Sequence, residues 1–341
     1  MRNRIMPFFA ATVFAALMLG CSEDEKIPRS MTIVGGGASF PAPAYQIWTY
    51  TYTQNHPNVK ISYQSLGSGA GINQIKVQTL DFAGTDNPLT FDEQQEAGVV
   101  QFPMLMGGVV VIVNVPGIEN NQIRLSRDAL AGIFLGRITH WSDAEIATTN
   151  PELKLPDLSI TVVRRADASG TNFIFTNYLS KISPAWYEHI GFGVSVKWPI
   201  GIGGQKNPGV CNSVAQISGA IGYTEYTYAV ESRLATALLE NQNGKYVAPT
   251  PEAFSASAVS ADWQNAPGFY MILTDQPGDD SWPITGVTYI LMRKDYKAGL
   301  KKELINYFNW CYTSGSAAAH KLHYVPMPEN VIDMVCNEIF K

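Results

Sequence analysis

The sequence predicts an α/β protein built from two domains. Strand-like runs alternate with helix-like runs along the chain, which is typical of layered α/β folds. The 341 residues are too many for one compact core and suit two domains of about 150 residues each. Hydrophobic residues make up 46% of the chain and charged residues only 16%, which favours well-packed domains over disorder.

The first residues predict an export signal. Arg2 and Arg4 precede an apolar stretch, residues 7–19, which is too short for a transmembrane helix. The stretch ends at Leu-Met-Leu-Gly-Cys, which resembles a bacterial lipobox. We therefore expect a signal peptide over residues 1–20 and a lipid on Cys21.

The polar segment after Cys21 indicates a tether over residues 21–31. A plain secretory signal cleaved nearby is the alternative, since Met18 stands where a lipobox usually has leucine. Both readings place the protein outside the cytoplasm.

The central part of the chain contains the clearest strand and helix signals. They predict strands over residues 59–66, 109–113, 160–163 and 287–292, helices over residues 72–80, 172–182 and 301–310, and a tight loop over residues 67–71. The apolar run at residues 109–113 is uninterrupted, as expected of a strand covered on both faces.

Three loops rich in small residues follow predicted strands: residues 35–43, 67–71 and 165–171. Each combines a hydroxyl side chain with backbone N–H groups at the positive end of a helix, which is the arrangement that holds oxyanions. We expect Ser39 to cap a helix that begins near it. Arg165 adds a planar fork that can hold two oxygen atoms.

Simple capping and turning is the alternative reading of each loop. A dinucleotide-binding loop is a further alternative for residues 67–71, but Ile72 stands where its third glycine would be. The formal net charge of −5, without a Lys/Arg cluster, argues against nucleic acid as a partner.

Several motifs resemble the periplasmic phosphate-binding protein (PstS) family of ABC-type phosphate transporters. They are GASFPAP at 37–43, Ser68 in its glycine loop, DFAGTD at 81–86, QFP at 101–103, IFLGRI at 133–138, RRADASGT at 164–171, WPIGIGG at 198–204, GAIGY at 219–223 and WPIT at 282–285. The resemblance extends, in the same order and spacing, over nearly all of the mature chain.

The resemblance implies a two-lobed periplasmic-binding-protein fold of type II. Two mixed-sheet α/β domains would be joined by a hinge of two crossovers, near Met104–Gly107 and Trp282–Gly286. Residues 32–105 and 282–341 would form lobe I, and residues 106–281 would form lobe II.

The resemblance also implies a set of phosphate ligands. Carried over residue by residue, they are Ser39, Phe40 through its backbone N–H, Ser68, Asp86, Arg165, Ser169, Gly170 through its backbone N–H, and Thr171. Ser39 replaces a threonine and keeps the hydroxyl, whereas Asn87 and Ala168 replace a small apolar residue and a glycine. None of these departures removes a donor.

The ligand set implies how phosphate is chosen over sulfate. Phosphate carries a proton at neutral pH and sulfate carries none, so an ionised Asp86 would accept the proton of phosphate and repel sulfate. We expect Arg165 to help keep Asp86 ionised.

The function implied is the capture of inorganic phosphate in the periplasm or at the cell surface. A monomeric, lipid-anchored protein would deliver the anion to the inner-membrane permease subunits of an ABC importer. No cofactor is implied, and no histidine spacing predicts a metal site.

Two rival functions stay open. One is binding of another tetrahedral oxyanion, and the other is hydrolysis of a phosphate ester, for which no base lies near Ser169 in the sequence. The pairing of three cysteines, Cys211, Cys311 and Cys336, also stays open: a Cys311–Cys336 bridge is one alternative and buried free thiols are the other.

Overall fold

A computed structural model describes residues 30–341 of the chain. The predicted signal peptide, Cys21 and most of the predicted tether lie outside the described residues. No helix between residues 30 and 341 has the length and apolarity needed to span a membrane.

Strands and helices alternate through the described chain, so the predicted α/β class is confirmed. The strands are β1 Met31–Gly37, β2 Val59–Ser65, β3 Phe82–Thr85, β4 Val99–Asn114, β5 Arg124–Leu125, β6 Thr161–Arg165, β7 Ile202–Gly204, β8 Ala220–Glu225, β9 Ala235–Thr236, β10 Leu238–Glu240, β11 Tyr246–Val247, β12 Thr285–Arg293 and β13 Val325–Pro326. The helices are α1 Ala42–Asn55, α2 Ser68–Lys76, α3 Phe91–Glu96, α4 Arg127–Phe134, α5 Ala144–Ala147, α6 Gly170–Ile182, α7 Pro184–His189, α8 Lys206–Gln216, α9 Tyr226–Glu231, α10 Pro251–Ala256, α11 Ala298–Tyr312, α12 Ser316–Lys321 and α13 Glu329–Glu338. Short 3₁₀ turns occupy Trp263–Asn265 and Pro267–Phe269.

Two predictions at helix starts are wrong. We expected residues 67–71 to be a loop, but α2 already begins at Ser68, because the backbone of Gly67 turns at a φ of 95° and lets the helix start at once. We expected Ser39 to cap the next helix, but α1 begins at Ala42 after Pro41. The Ser39 hydroxyl is therefore left for other partners.

One long strand joins two groups of strands into a single mixed sheet. The strand order is β2-β1-β3-β12-β4-β8-β6-β7. The 16-residue strand β4 pairs antiparallel with β12 through Gly108 and then with β8 from Val109 onwards. The chain thus passes from one group of strands to the other along β4. Residues 104–107, where we expected a crossover, lie within this continuous strand.

Buried aromatic side chains form the core on both sides of β4. On the side of β1–β3, Phe82 meets Phe308 edge-on, with ring centroids 5.2 Å apart. On the other side, Phe175 stacks on Tyr223 at 4.1 Å. The Tyr223 hydroxyl accepts a hydrogen bond from the backbone N–H of Arg165 at 3.1 Å, so this core also fixes the end of β6.

The three cysteines of the described chain are free thiols. Cys211 and Cys311 are buried, and the Cys336 thiol lies 3.4 Å from the Asn309 side-chain oxygen. The alternative of a Cys311–Cys336 bridge is therefore not what the fold contains.

Candidate anion-binding site

The predicted site residues follow the ends of four strands. Strand β1 is parallel to both β2 and β3, so the loops after all three strands leave the same edge of the sheet. These loops bring together Ser39, Ser68 and Asp86. Arg165 ends β6, and the residues from Ser169 onwards open α6 on the opposite side of the site.

All the predicted polar side chains are buried. Ser39, Ser68, Asp86, Arg165, Ser169 and Thr171 are each at most 2% exposed. Burying that many polar groups is unfavourable unless they find partners. Most of their hydrogen bonds fall into two clusters. One surrounds Asp86 and lies against Gly170, and the other surrounds Ser39 and includes the next residue, Thr171.

The first cluster surrounds Asp86. Its backbone N–H donates to the Ser68 hydroxyl oxygen at 3.1 Å, and the Ser68 hydroxyl lies 3.5 Å from the carboxyl oxygen Oδ2. Gly170 lies against both residues, since a Cβ atom placed on it would come within 2.3 Å of Ser68 Oγ and 2.6 Å of Asp86 Oδ2. The other carboxyl oxygen, Oδ1, is buried and has no hydrogen-bond partner within residues 30–341.

The second cluster surrounds Ser39. Its hydroxyl oxygen accepts from Arg165 Nη2 at 3.3 Å and from Asn207 Nδ2 at 3.2 Å. Asn207 Nδ2 also lies 3.5 Å from Thr171 Oγ1, and Asn207 Oδ1 accepts from Arg165 Nη1 at 3.1 Å. Asn207 therefore ties together three of the predicted ligands.

Arg165 forms a bidentate ion pair with Asp167. Its Nη2 lies 2.5 Å from Asp167 Oδ2 and its Nε lies 2.8 Å from Oδ1. Burial alone would raise the pKa of Asp167, but the hydrogen bonds and charge of Arg165 and the backbone N–H of Lys206 together lower it. The ion pair fixes the orientation of the guanidinium plane. Bidentate recognition of oxygen atoms by an arginine depends on that orientation.

Our sequence reasoning missed Asp167 and Asn207. Asp167 lies two residues after Arg165, inside a motif that we had singled out, and could have been found as its charge partner. Asn207 lies in α8, 42 positions after Arg165, and no local signal in the sequence marks it.

Several backbone N–H groups at the site lack partners in the described chain. Those of Phe40, Gly170 and Thr171 make no hydrogen bond within residues 30–341. Gly170 and Thr171 open the 13-residue helix α6, where the helix dipole adds positive potential. The Ser169 oxygen caps this helix by accepting from the Asn172 N–H at 3.1 Å, which leaves its hydroxyl proton free to donate.

The carboxyl group of Asp86 is not held ionised as we expected. Burial raises its pKa to about 7, although the Thr288 side chain, the charge of Arg165 and the Ser68 hydroxyl act in the opposite direction. The charge of Arg165 lowers the pKa of Asp86, as we expected, but burial outweighs it, and Arg165 forms its ion pair with Asp167. The Asp86 carboxyl can thus exchange a proton near neutral pH.

Hydrogen bonds across the site keep its two sides in contact. The Gly69 N–H donates to the Ala168 carbonyl oxygen at 3.0 Å, and the Tyr228 hydroxyl donates to the Ser39 carbonyl oxygen at 2.7 Å. Together with the Arg165–Ser39 contact, these bonds join the β1–β3 side of the fold to the β6–β8 side. A buried polar site enclosed between two α/β lobes defines a binding protein of the two-lobed periplasmic class.

Comparison with known proteins identifies the family. The family model of the PBP superfamily domain matches residues 22–313. The chain is 46% identical to the phosphate-binding protein PstS of Xylella fastidiosa strain Temecula1, over 90% of this chain and 84% of that protein. It is 45% identical to PstS of Pasteurella multocida, over 90% of this chain and 89% of that protein. The chain belongs to the PstS family of phosphate-binding proteins.

Solved structures agree on the fold. One is a high-affinity periplasmic phosphate-binding protein (PfluDING) with bound phosphate, with a TM-score of 0.72, 21% identity, and coverage of 91% of this chain and 94% of that one. Another is a putative phosphate ABC transporter substrate-binding protein from Clostridium perfringens, with a TM-score of 0.64, 17% identity, and coverage of 87% and 100%. The predicted two-lobed type II fold is confirmed.

Proposed function

We propose that this protein captures inorganic phosphate outside the cytoplasm and passes it to the permease subunits of an ABC-type phosphate importer. The observation that carries the proposal is a buried carboxyl, Asp86, with one oxygen that has no hydrogen-bond partner within residues 30–341, beside a set of hydrogen-bond donors. The names of the relatives at 45–46% identity point to the same ligand.

The ligands that we propose are the eight residues expected from the sequence. Donors would come from the side chains of Ser39, Ser68, Arg165, Ser169 and Thr171 and from the backbone of Phe40 and Gly170. The N–H groups of Phe40 and Gly170, which have no acceptor in the described part of the chain, support this assignment, because an unpaired buried donor is unfavourable until a ligand accepts from it.

Asp86 supplies the selectivity in this proposal. A bound oxyanion and the carboxyl must share at least one proton, since two proton-free oxygens facing each other in a buried site repel. Phosphate brings that proton itself, whereas sulfate requires Asp86 to be protonated first. The difference persists although burial raises the pKa of Asp86 to about 7.

We propose the lobe boundaries expected from the sequence, with residues 32–105 and 282–341 in lobe I and residues 106–281 in lobe II. The change of partner of β4 from β12 to β8, next to Gly108, supports this division. We also propose that the protein acts as a monomer and is anchored by a lipid on Cys21. We propose further that it catalyses no reaction, which is supported by the naming of its relatives as binding proteins.

Titration calorimetry on ligand-free protein tests the proposal. The wild type should bind phosphate tightly and sulfate at least about 1,000-fold more weakly at pH 8. Asp86→Asn should lose most of this ratio, because an amide can donate to either anion. Asp92→Asn, at an exposed position in α3, is the matched control and should keep the ratio. Equal phosphate and sulfate affinities in the wild type would refute the proposed function.

A further inference from the structure

A tyrosine outside the expected ligand set holds the loop that carries Phe40. The Tyr228 hydroxyl donates to the carbonyl oxygen of Ser39 at 2.7 Å, across 189 positions of sequence. Burial raises the pKa of Tyr228, so the hydroxyl keeps its proton and acts as a donor. Tyr228 lies in α9, on the β6–β8 side of the site, whereas Ser39 follows β1.

The bonded carbonyl belongs to the same peptide unit as the Phe40 N–H. No peptide bond of the described chain is cis, so the carbonyl oxygen and the N–H of this unit point in opposite directions. A donor fixed on the oxygen therefore restricts the direction of the N–H, and the shorter Tyr228 bond adds to a longer one of 3.3 Å from the Ala42 N–H in the same loop. It also polarises the amide, which strengthens the N–H as a donor.

The neighbouring carbonyl is fixed as well. The Tyr324 hydroxyl donates to the Phe40 carbonyl oxygen at 2.7 Å and lies 3.0 Å from Glu225 Oε2. With both flanking carbonyls held, the peptide unit between Ser39 and Phe40 has little freedom to rotate. Its N–H nevertheless makes no hydrogen bond within residues 30–341, so a rigid, polarised donor is left without an acceptor.

We propose that Tyr228 is a positioning residue, which aims and strengthens the Phe40 N–H for the bound anion only when the two lobes are closed. This inference rests on the proposed function, in which that N–H donates to phosphate. Because the two residues lie on opposite lobes, the bond breaks on opening. Closure therefore improves an existing donor in addition to bringing in new ones.

Tyr228→Phe removes only the hydroxyl. Phosphate should dissociate about five- to tenfold faster from this variant, the effect of one lost hydrogen bond. The association rate should stay unchanged, because the bond forms after the anion has entered the open cleft. Tyr226→Phe is the matched control: it lies on the same helix, and its hydroxyl makes no hydrogen bond to the described residues.

An NMR measurement separates positioning from a simple bond between lobes. Ser39–Phe40 is the one Ser–Phe pair in the sequence, so labelling serine with ¹³C at the carbonyl and phenylalanine with ¹⁵N gives a single carbonyl–amide peak. In the phosphate complex, Tyr228→Phe should move the amide proton of this peak upfield, and Tyr226→Phe should leave it in place.

The outcomes are distinct. An unchanged dissociation rate, or a faster one with an unmoved Phe40 amide proton, overturns the positioning role of Tyr228. Failure of the wild type to bind phosphate overturns the proposed function instead, and is recognised before any variant is made. A thermal unfolding midpoint equal to that of the wild type shows that Tyr228→Phe is folded.

Discussion

Replacing Gly170 by alanine tests whether the closed site depends on this glycine. Gly170 is the first residue of α6, and its backbone lies outside the left-handed region, so alanine fits the local conformation. The added Cβ atom would nevertheless lie 2.3 Å from Ser68 Oγ and 2.6 Å from the Cβ and Oδ2 of Asp86. Ordinary contacts of this kind begin at 3.4 Å.

The size of the effect follows from these distances. Relieving a contact of 2.3 Å to 3.4 Å moves α6 away from Ser68 and Asp86 by about 1 Å, which is enough to break hydrogen bonds that need about 2.7–3.2 Å. Losing two bonds to a charged anion, at about 1.5–3 kcal/mol each, weakens binding by about 3–6 kcal/mol. That loss corresponds to a Kd raised roughly 100- to 10⁴-fold.

Calorimetry and thermal unfolding of the ligand-free protein measure the two halves of this prediction. Phosphate binding by Gly170→Ala should weaken as stated, while the unfolding midpoint should stay close to that of the wild type. Gly170 is the first residue of α6 rather than an interior one, and the added Cβ atom clashes with Ser68 and Asp86 only when the two proposed lobes are closed. Gly299→Ala is the matched control, because its Cβ atom in the first turn of α11 would meet nothing nearer than Met31 Cε at 4.0 Å. Wild-type affinity in Gly170→Ala would refute the reasoning.

Two further predictions concern pH. Sulfate should bind more tightly as the pH falls through about 7, the pKa to which burial raises the Asp86 carboxyl, because a protonated carboxyl can donate to an oxyanion that has no proton. Calorimetry that finds the same sulfate affinity from about pH 6 to pH 8 would contradict this. Glu225→Gln should become more stable relative to the wild type as the pH rises from about 5 to 8 in thermal unfolding. Burial raises the pKa of Glu225 from 4.5 to about 8, so the folded wild type holds a proton that the unfolded chain has lost, and its stability falls over that range. Parallel stability curves for the two proteins would show that Glu225 does not carry this proton.

The sequence was sufficient to locate the loops that the fold brings together at the candidate site, because their chemistry is local. A hydroxyl after glycines at a strand end predicts a donor at a helix start, and the structure places Ser68 and Ser169 at such starts. Ser39 was misassigned as a cap because Pro41 moves the start of α1 to Ala42. That error concerned the helix and not the position of the hydroxyl.

Other features depend on distant parts of the chain and could not be predicted. The role of Asn207 arises from three partners on different elements, none of them within 30 positions along the sequence. The pKa of Asp86 reflects the sum of burial and several opposing neighbours, and the sign of that sum depends on how deeply the site is enclosed. Sequence motifs therefore predict which residue types face the ligand. Tertiary packing determines their pKa values and the residues that hold them in place.

Strand β4 belongs to both halves of the molecule. Cutting the chain near Gly108 would leave an unpaired sheet edge on each fragment, because residues 99–108 of β4 would lie on one fragment and their partner strand β12 on the other. Neither fragment is thus a self-sufficient folding unit, and destabilising one half of the sheet should also destabilise the other. The protein should melt in a single cooperative transition, and phosphate, which would contact both halves in the proposed site, should raise the temperature of that transition as a whole.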